Sequence, residues 1–132
     1  MKKIFLTLLL LSLSLFADVK SSYLTQQILD SELPIVDVRT PPEWRETGLV
    51  KGAIPIMFFN QQGQPQINAF LKELNEKVDT TQPFAIICHT GSRTSVIAPW
   101  LAENFNYKVI NLLGGMDYAT QALKIKPIPY KK

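Results

Sequence analysis

The chain has one cysteine and one histidine in 132 residues, and each scarcity excludes some chemistry. A lone thiol forms no internal disulfide, so a packed core has to hold the fold together. One Cys and one His do not make a tetrahedral ligand set, so no metal is expected, nor any other cofactor. Charge of one sign is also thin: 14 basic residues are scattered among 11 acids for a net +3, despite a pI near 9.0. There is no basic stripe and no nucleic-acid motif, so nucleic acid is not an expected partner. Repeats, low-complexity tracts and long linkers are missing too, and one domain is expected.

The N-terminus, MKKIFLTLLLLSLSLFA, has two lysines, an apolar stretch from Ile4 to Phe16 and then Ala17. That is the layout of a cleavable secretory signal. As a helix rising about 1.5 Å per residue, the stretch spans roughly 20 Å, short of a hydrocarbon core of about 30 Å. The expectation is a signal peptide over residues 1–17, cleavage after Ala17, a domain over residues 18–132, and a periplasmic or secreted protein with no stable membrane anchor. Cleavage would remove Lys2 and Lys3, and with them much of the net positive charge.

The rest of the chain alternates between helical and strand periodicity. SSYLTQQILDSE reads as a helix capped by its serines, with Leu24, Ile28 and Leu29 on one face. LPIVDVR, between Pro34 and Pro41-Pro42, reads as a buried strand, and PPEWRETG as a short helix closed by Gly48. GAIPIMFF is a strand candidate that Pro55 pushes to a sheet edge. INAFLKELNEKV is a helix, PFAIIC the most apolar strand, Arg93 to about Asn104 a helix, KVINLL a strand, and GGMDYATQAL a final helix. Alternating strands and helices predict an α/β fold with a mostly parallel sheet covered on both faces.

In such sheets ligands bind beyond the carboxyl ends of strands. Within FAIICHTGSRT, Cys88 stands at that place. A lone thiol can be an inert core residue, an intermolecular link or a reactive group, and its surroundings here favour the last. Gly91 and Ser92 are small enough to let backbone amides curl inward at the head of a helix, a setting that stabilises negative charge. The same field keeps a sulfur ionised and nucleophilic.

Three stretches in order carry a specific resemblance: IVDVRTPPEWRETGLVKGAIPI, CHTGSR and NLLGGMDYA. Together they resemble a single-domain rhodanese, a thiosulfate-handling sulfurtransferase, over about residues 19 to 123. The resemblance implies a five-stranded, mostly parallel sheet flanked by helices. It also implies that Cys88 takes a sulfane sulfur from an anionic donor such as thiosulfate and hands it from a persulfide to a thiophilic acceptor, which is a small molecule or a protein thiol. By the same likeness the backbone amides of His89, Thr90, Gly91, Ser92 and Arg93 cradle the sulfur. The Arg93 guanidinium faces donor charge, and Asp37 with Arg39 form a structural pair behind the site. Two positions depart from the family pattern: Leu49 stands where a histidine is usual, and Ala119, beside Tyr118, where a tryptophan is usual.

Competing readings stay open at this level. His89 adjoins the thiol, but sulfur transfer to a thiolate needs no general base. Asp37 and Asp117 are more naturally local caps than an acid/base pair. Arg93 can instead pair with an acid on a helix face. Phosphatases and arsenate reductases also join a cysteine to an arginine across a strand-to-helix turn, though with five intervening residues where CHTGSR has four. A persulfide carrier or partner-binding module is the third class.

Overall fold

The computed structural model describes residues 19–131, so the expected signal segment, its cleavage point and Lys132 lie outside the described residues. The described chain runs β1 (Lys20–Ser22), α1 (Gln26–Asp30), β2 (Ile35–Asp37), α2 (Pro41–Thr47), β3 (Ile54–Pro55), α3 (Ile67–Lys77), β4 (Phe84–Ile87), α4 (Ser92–Phe105), β5 (Val109–Leu112) and α5 (Gly115–Asp117). Helix α5 widens into a π-type turn over Tyr118–Ala122. The five strands form one sheet in the order β1-β5-β4-β2-β3, and every pairing is parallel. This is the α/β sheet the sequence predicts. Among the described residues no helix is long and apolar enough to cross a membrane.

The strand β4 shows why the sheet is covered on both sides. All four of its residues are buried, and alternate side chains leave on opposite faces. Phe84, Ile86 and Cys88 join Phe70 and Leu74 of α3 and Ile97 and Leu101 of α4. Ala85 and Ile87 join Leu24, Leu112, Met116 and Ala119 on the other face. Burial of each large aliphatic here contributes about 1.5–3 kcal/mol. With β2 and β5 as neighbours, β4 is central, and its carboxyl end opens directly into α4.

Two elements differ from the sequence reading. Ser21 and Ser22 do not cap a helix: they lie in β1, paired with Asn111 and Leu112 of β5. Helix α1 is correspondingly short, and Thr25 is its cap, its hydroxyl accepting the Ile28 N–H at 3.1 Å. Leu24 is buried, with Ile28 and Leu29 packed partly against the same cluster, as their spacing predicts. GAIPIMFF is strand only at Ile54–Pro55, on the sheet edge. There the missing N–H of Pro55 costs no ladder bond. At the C-terminal end, Leu49 and Ile128 exchange backbone hydrogen bonds of 2.9 and 2.7 Å, and the Tyr130 ring lies 5.5 Å from that of Trp44.

Candidate active site

Cys88 follows the last residue of β4 and is fully buried. Its Sγ accepts the Gly91 N–H at 3.2 Å and lies 3.6 Å from Thr94 Oγ1, whose hydroxyl also reaches the Gly91 carbonyl at 3.3 Å. The resemblance implies five amides around the sulfur. The structure shows one amide and one hydroxyl around a buried one. The amides of His89, Thr90, Ser92 and Arg93 make no recorded bond to Sγ. The loop curls because Gly91 adopts φ +98° as the cap of α4, a left-handed conformation that glycine takes without strain.

A second glycine holds the loop from behind. The Met116 and Asp117 amides donate to the Cys88 and His89 carbonyls at 2.8 and 3.0 Å, so the start of α5 is bolted to the loop. This approach requires Gly115, at φ +57°, because a Cβ there would come within 2.6 Å of the His89 oxygen. His89 itself turns outward to Asp117, Nε2 to Oδ1 3.0 Å, with both side chains about half exposed. Thr90 and Ser92 are exposed at the loop's outer rim, their hydroxyls 3.4 Å apart. Of the two departures from the family pattern, Leu49 is spent on the bridge to Ile128. Ala119 is buried, and the Tyr118 ring packs against that of Tyr23, tilted by 39° with centroids 4.5 Å apart.

Behind the site Asp37 and Arg39 are both buried, 0% and 1% exposed. Asp37 accepts from Arg39 Nε and Nη2 at 2.9–3.1 Å, from the Arg39 amide at 3.1 Å and from Trp44 Nε1 at 3.1 Å. The guanidinium also donates to Thr47 Oγ1 at 2.7 Å and the Gly48 carbonyl at 2.8 Å. Asp37 is thus a structural anchor joining β2 to α2. Asp37 and Asp117 each have a partner of their own, Arg39 and His89.

Arg93 points at α2. Its Nη1 and Nη2 donate to Glu43 Oε1 and Oε2, both at 2.7 Å, a bidentate pair about one-quarter exposed. Glu43 Oε1 also accepts the Thr40 amide at 3.3 Å and hydroxyl at 3.0 Å. Burial pushes the Glu43 carboxyl up, but its hydrogen bonds and charge contact with Arg93, helped by Thr40, prevail and hold it down at about 2, against an ordinary 4.5. The hydrogen bonds to Glu43 in turn raise the Arg93 guanidinium, against some burial. Because the folded value lies below the unfolded one, the pair's contribution to stability is complete above about pH 4.5 and is lost as pH falls toward 2. Thermal melts should therefore show wild type above Glu43→Gln by a constant margin from pH 7 to 5, with the margin shrinking toward pH 2. A margin undiminished at pH 2 would show that Glu43 stabilises by shape alone.

Cavities lie on both sides of this ion pair. A cleft of about 580 Å3 is lined by residues that include Thr40, Glu43, Phe59, Asn60, Gln61 and Arg93. A smaller one of about 250 Å3 includes Glu43, Glu46, His89 and Asp117. Sequence reasoning missed Thr94, Glu43 and this cleft. The Thr-x-x-Glu spacing of Thr40 and Glu43, a helix-start pattern, was the one legible signal.

Similarity to known proteins agrees with this arrangement. The family model described as Rhodanese-like domain matches residues 21–122. Protein RP600 of Rickettsia prowazekii is 33% identical over 84 residues, which cover 61% of this chain and 66% of that protein, just under two thirds of its length. The crystal structure of SSP1007 from Staphylococcus saprophyticus is 30% identical with a TM-score of 0.58, covering 75% of this chain and 91% of that one. A rhodanese-like domain protein from Staphylococcus aureus is 26% identical with a TM-score of 0.57, covering 74% and 88%. With the family model spanning β1 through α5 and its cysteine loop at the end of the central strand, the chain belongs to the rhodanese-like domain family.

Proposed function

We propose that the protein is a sulfurtransferase in which Cys88 accepts a sulfane sulfur as a persulfide and passes it to a thiophilic acceptor, a small molecule or a protein thiol. Family membership supports sulfurtransferase-like or related anion chemistry in general. One observation carries the narrower reading. The only thiol sits at the end of the central strand, with the Gly91 N–H donating to Sγ and the Thr94 hydroxyl oxygen 3.6 Å from it. The species that attacks a sulfane sulfur is the thiolate, and the Gly91 N–H at 3.2 Å is a donor aimed at that sulfur. His89 is turned to Asp117, and attack by a thiolate needs no general base there. Phosphatase or arsenate reductase chemistry gains no support, because the loop is short and Glu43 occupies the guanidinium an oxyanion would use. Thiosulfate is the anionic donor to test, with cyanide as a convenient assay acceptor. Export to the periplasm or outside the cell, after loss of residues 1–17, belongs to the same proposal and rests on the N-terminal sequence pattern.

The test is the intact mass of the reduced protein after exposure to thiosulfate and, separately, to a thiol persulfide. A gain of one sulfur on Cys88 that a dithiol removes is the expected result. No gain with either donor would overturn the reading.

A further inference from the structure

We propose that Glu43 determines which sulfur donors the site takes. By filling both prongs of the Arg93 guanidinium, it makes an anionic donor compete with a built-in carboxylate, and so selects low-charge thiol persulfides over dianions such as thiosulfate. This rests on the sulfur-transfer reading above.

The geometry commits the two-pronged end of Arg93 to Glu43. Both terminal nitrogens are taken at 2.7 Å. Glu43 is not a loose surface acid that yields easily, since the Thr40 amide and hydroxyl hold the same carboxylate at the start of α2. A donor oxyanion that displaced Glu43 would strand a partly buried carboxylate beside itself, and the charge-assisted bonds lost would roughly match those gained.

The remaining charges lining the two cavities do not help an anion. Arg39, which borders the smaller cavity, is committed to Asp37, and His89 to Asp117. Glu46 adds a further acid. Among the residues lining the two cavities, Arg39 and Arg93 are the basic side chains besides His89, and both carry a carboxylate partner. A thiosulfate dianion approaching a Cys88 thiolate would meet like charge, with no unpaired cation among the residues lining the two cavities to offset it. The larger cleft offers Phe59, Asn60 and Gln61 instead, an aromatic face and neutral amides that suit an organic thiol carrier.

The chemistry balances without an added oxidant or reductant. The Cys88 thiolate attacks the outer sulfur of R–S–SH, and a new S–S bond forms as the old one breaks. R–S⁻ leaves with the bonding pair, and the proton stays on the transferred sulfur, giving Cys88 S–SH. With thiosulfate the same attack expels sulfite.

The experiment measures Cys88 loading by thiosulfate and by cysteamine persulfide, as kcat/KM, in the full chain and in Glu43→Gln. Gln keeps an acceptor oxygen for Thr40 but removes the competing charge and frees Arg93 Nη2. Wild type is expected to prefer the persulfide and to be indifferent to added sulfate. In the variant the thiosulfate-to-persulfide ratio should rise about tenfold, through a lower KM for thiosulfate, and sulfate should become a competitive inhibitor. A wild type that prefers thiosulfate overturns the proposal without any variant, as does loading by both donors with an unchanged ratio in Glu43→Gln. Loading by neither donor in wild type instead overturns the sulfur-transfer reading itself.

Discussion

Cys88→Ser is expected to abolish sulfur transfer, lowering it by about a thousandfold or more, while the protein keeps its fold. The serine hydroxyl is smaller than the thiol but has the same shape, and it would sit at the same strand end beside the Gly91 N–H and the Thr94 hydroxyl. The buried hydroxyl therefore keeps hydrogen bonds, and the cost of burying it stays small. It remains protonated at neutral pH, however, and cannot form a persulfide. Circular dichroism and thermal melting should match wild type closely, and intact mass after donor exposure should show no sulfur gained. Retained transfer in the variant would remove Cys88 from the mechanism.

Arg39→Ala carries the largest expected effect on stability, a loss of about 3–5 kcal/mol. The guanidinium supplies most of the donors around the Asp37 carboxylate, which is fully buried, and it also satisfies the Gly48 carbonyl. Removing it leaves a charge out of water with only the Arg39 amide and the Trp44 indole as partners. The melting temperature should fall by roughly 10 °C or more. Pairing the change with Asp37→Asn should recover part of the loss, because the stranded charge goes with it. Urea unfolding of the two variants measures both numbers. A loss under about 1 kcal/mol would mean that β2 and α2 are joined by packing alone.

A similar local logic explains what could be read without coordinates. Apolar runs bounded by Pro83 and Cys88, or by Pro34 and Arg39, mark β4 and β2 because a parallel strand buried on both faces is largely apolar, Asp37 of β2 being the exception that Arg39 neutralises. Pro41-Pro42 and Gly48 bracket α2 because proline suits a helix start and glycine a helix end. That the only thiol ends the central strand, with small residues opening a helix after it, was likewise legible, and it located the candidate site.

The fifth strand was not legible from local pattern. Lys20–Ser22 is short, mostly exposed and has no apolar alternation, and it becomes a strand because β5 offers it an open edge. Nor could local sequence tell which groups reach the sulfur. Thr94 faces Sγ only once Gly91 has turned the loop and α4 has packed its next residues inward. The Arg93–Glu43 pair spans 50 residues, and its partners meet because α2 and the start of α4 both emerge at the carboxyl end of the sheet. The sequence by itself determined four of the five strands, the helices that follow them and the place of the nucleophile, since periodicity and turn chemistry act over a few neighbours. Only the tertiary structure decided that Arg93 is held by a carboxylate and that the Cys88 sulfur is buried with one amide and one hydroxyl, because those contacts depend on how distant elements pack.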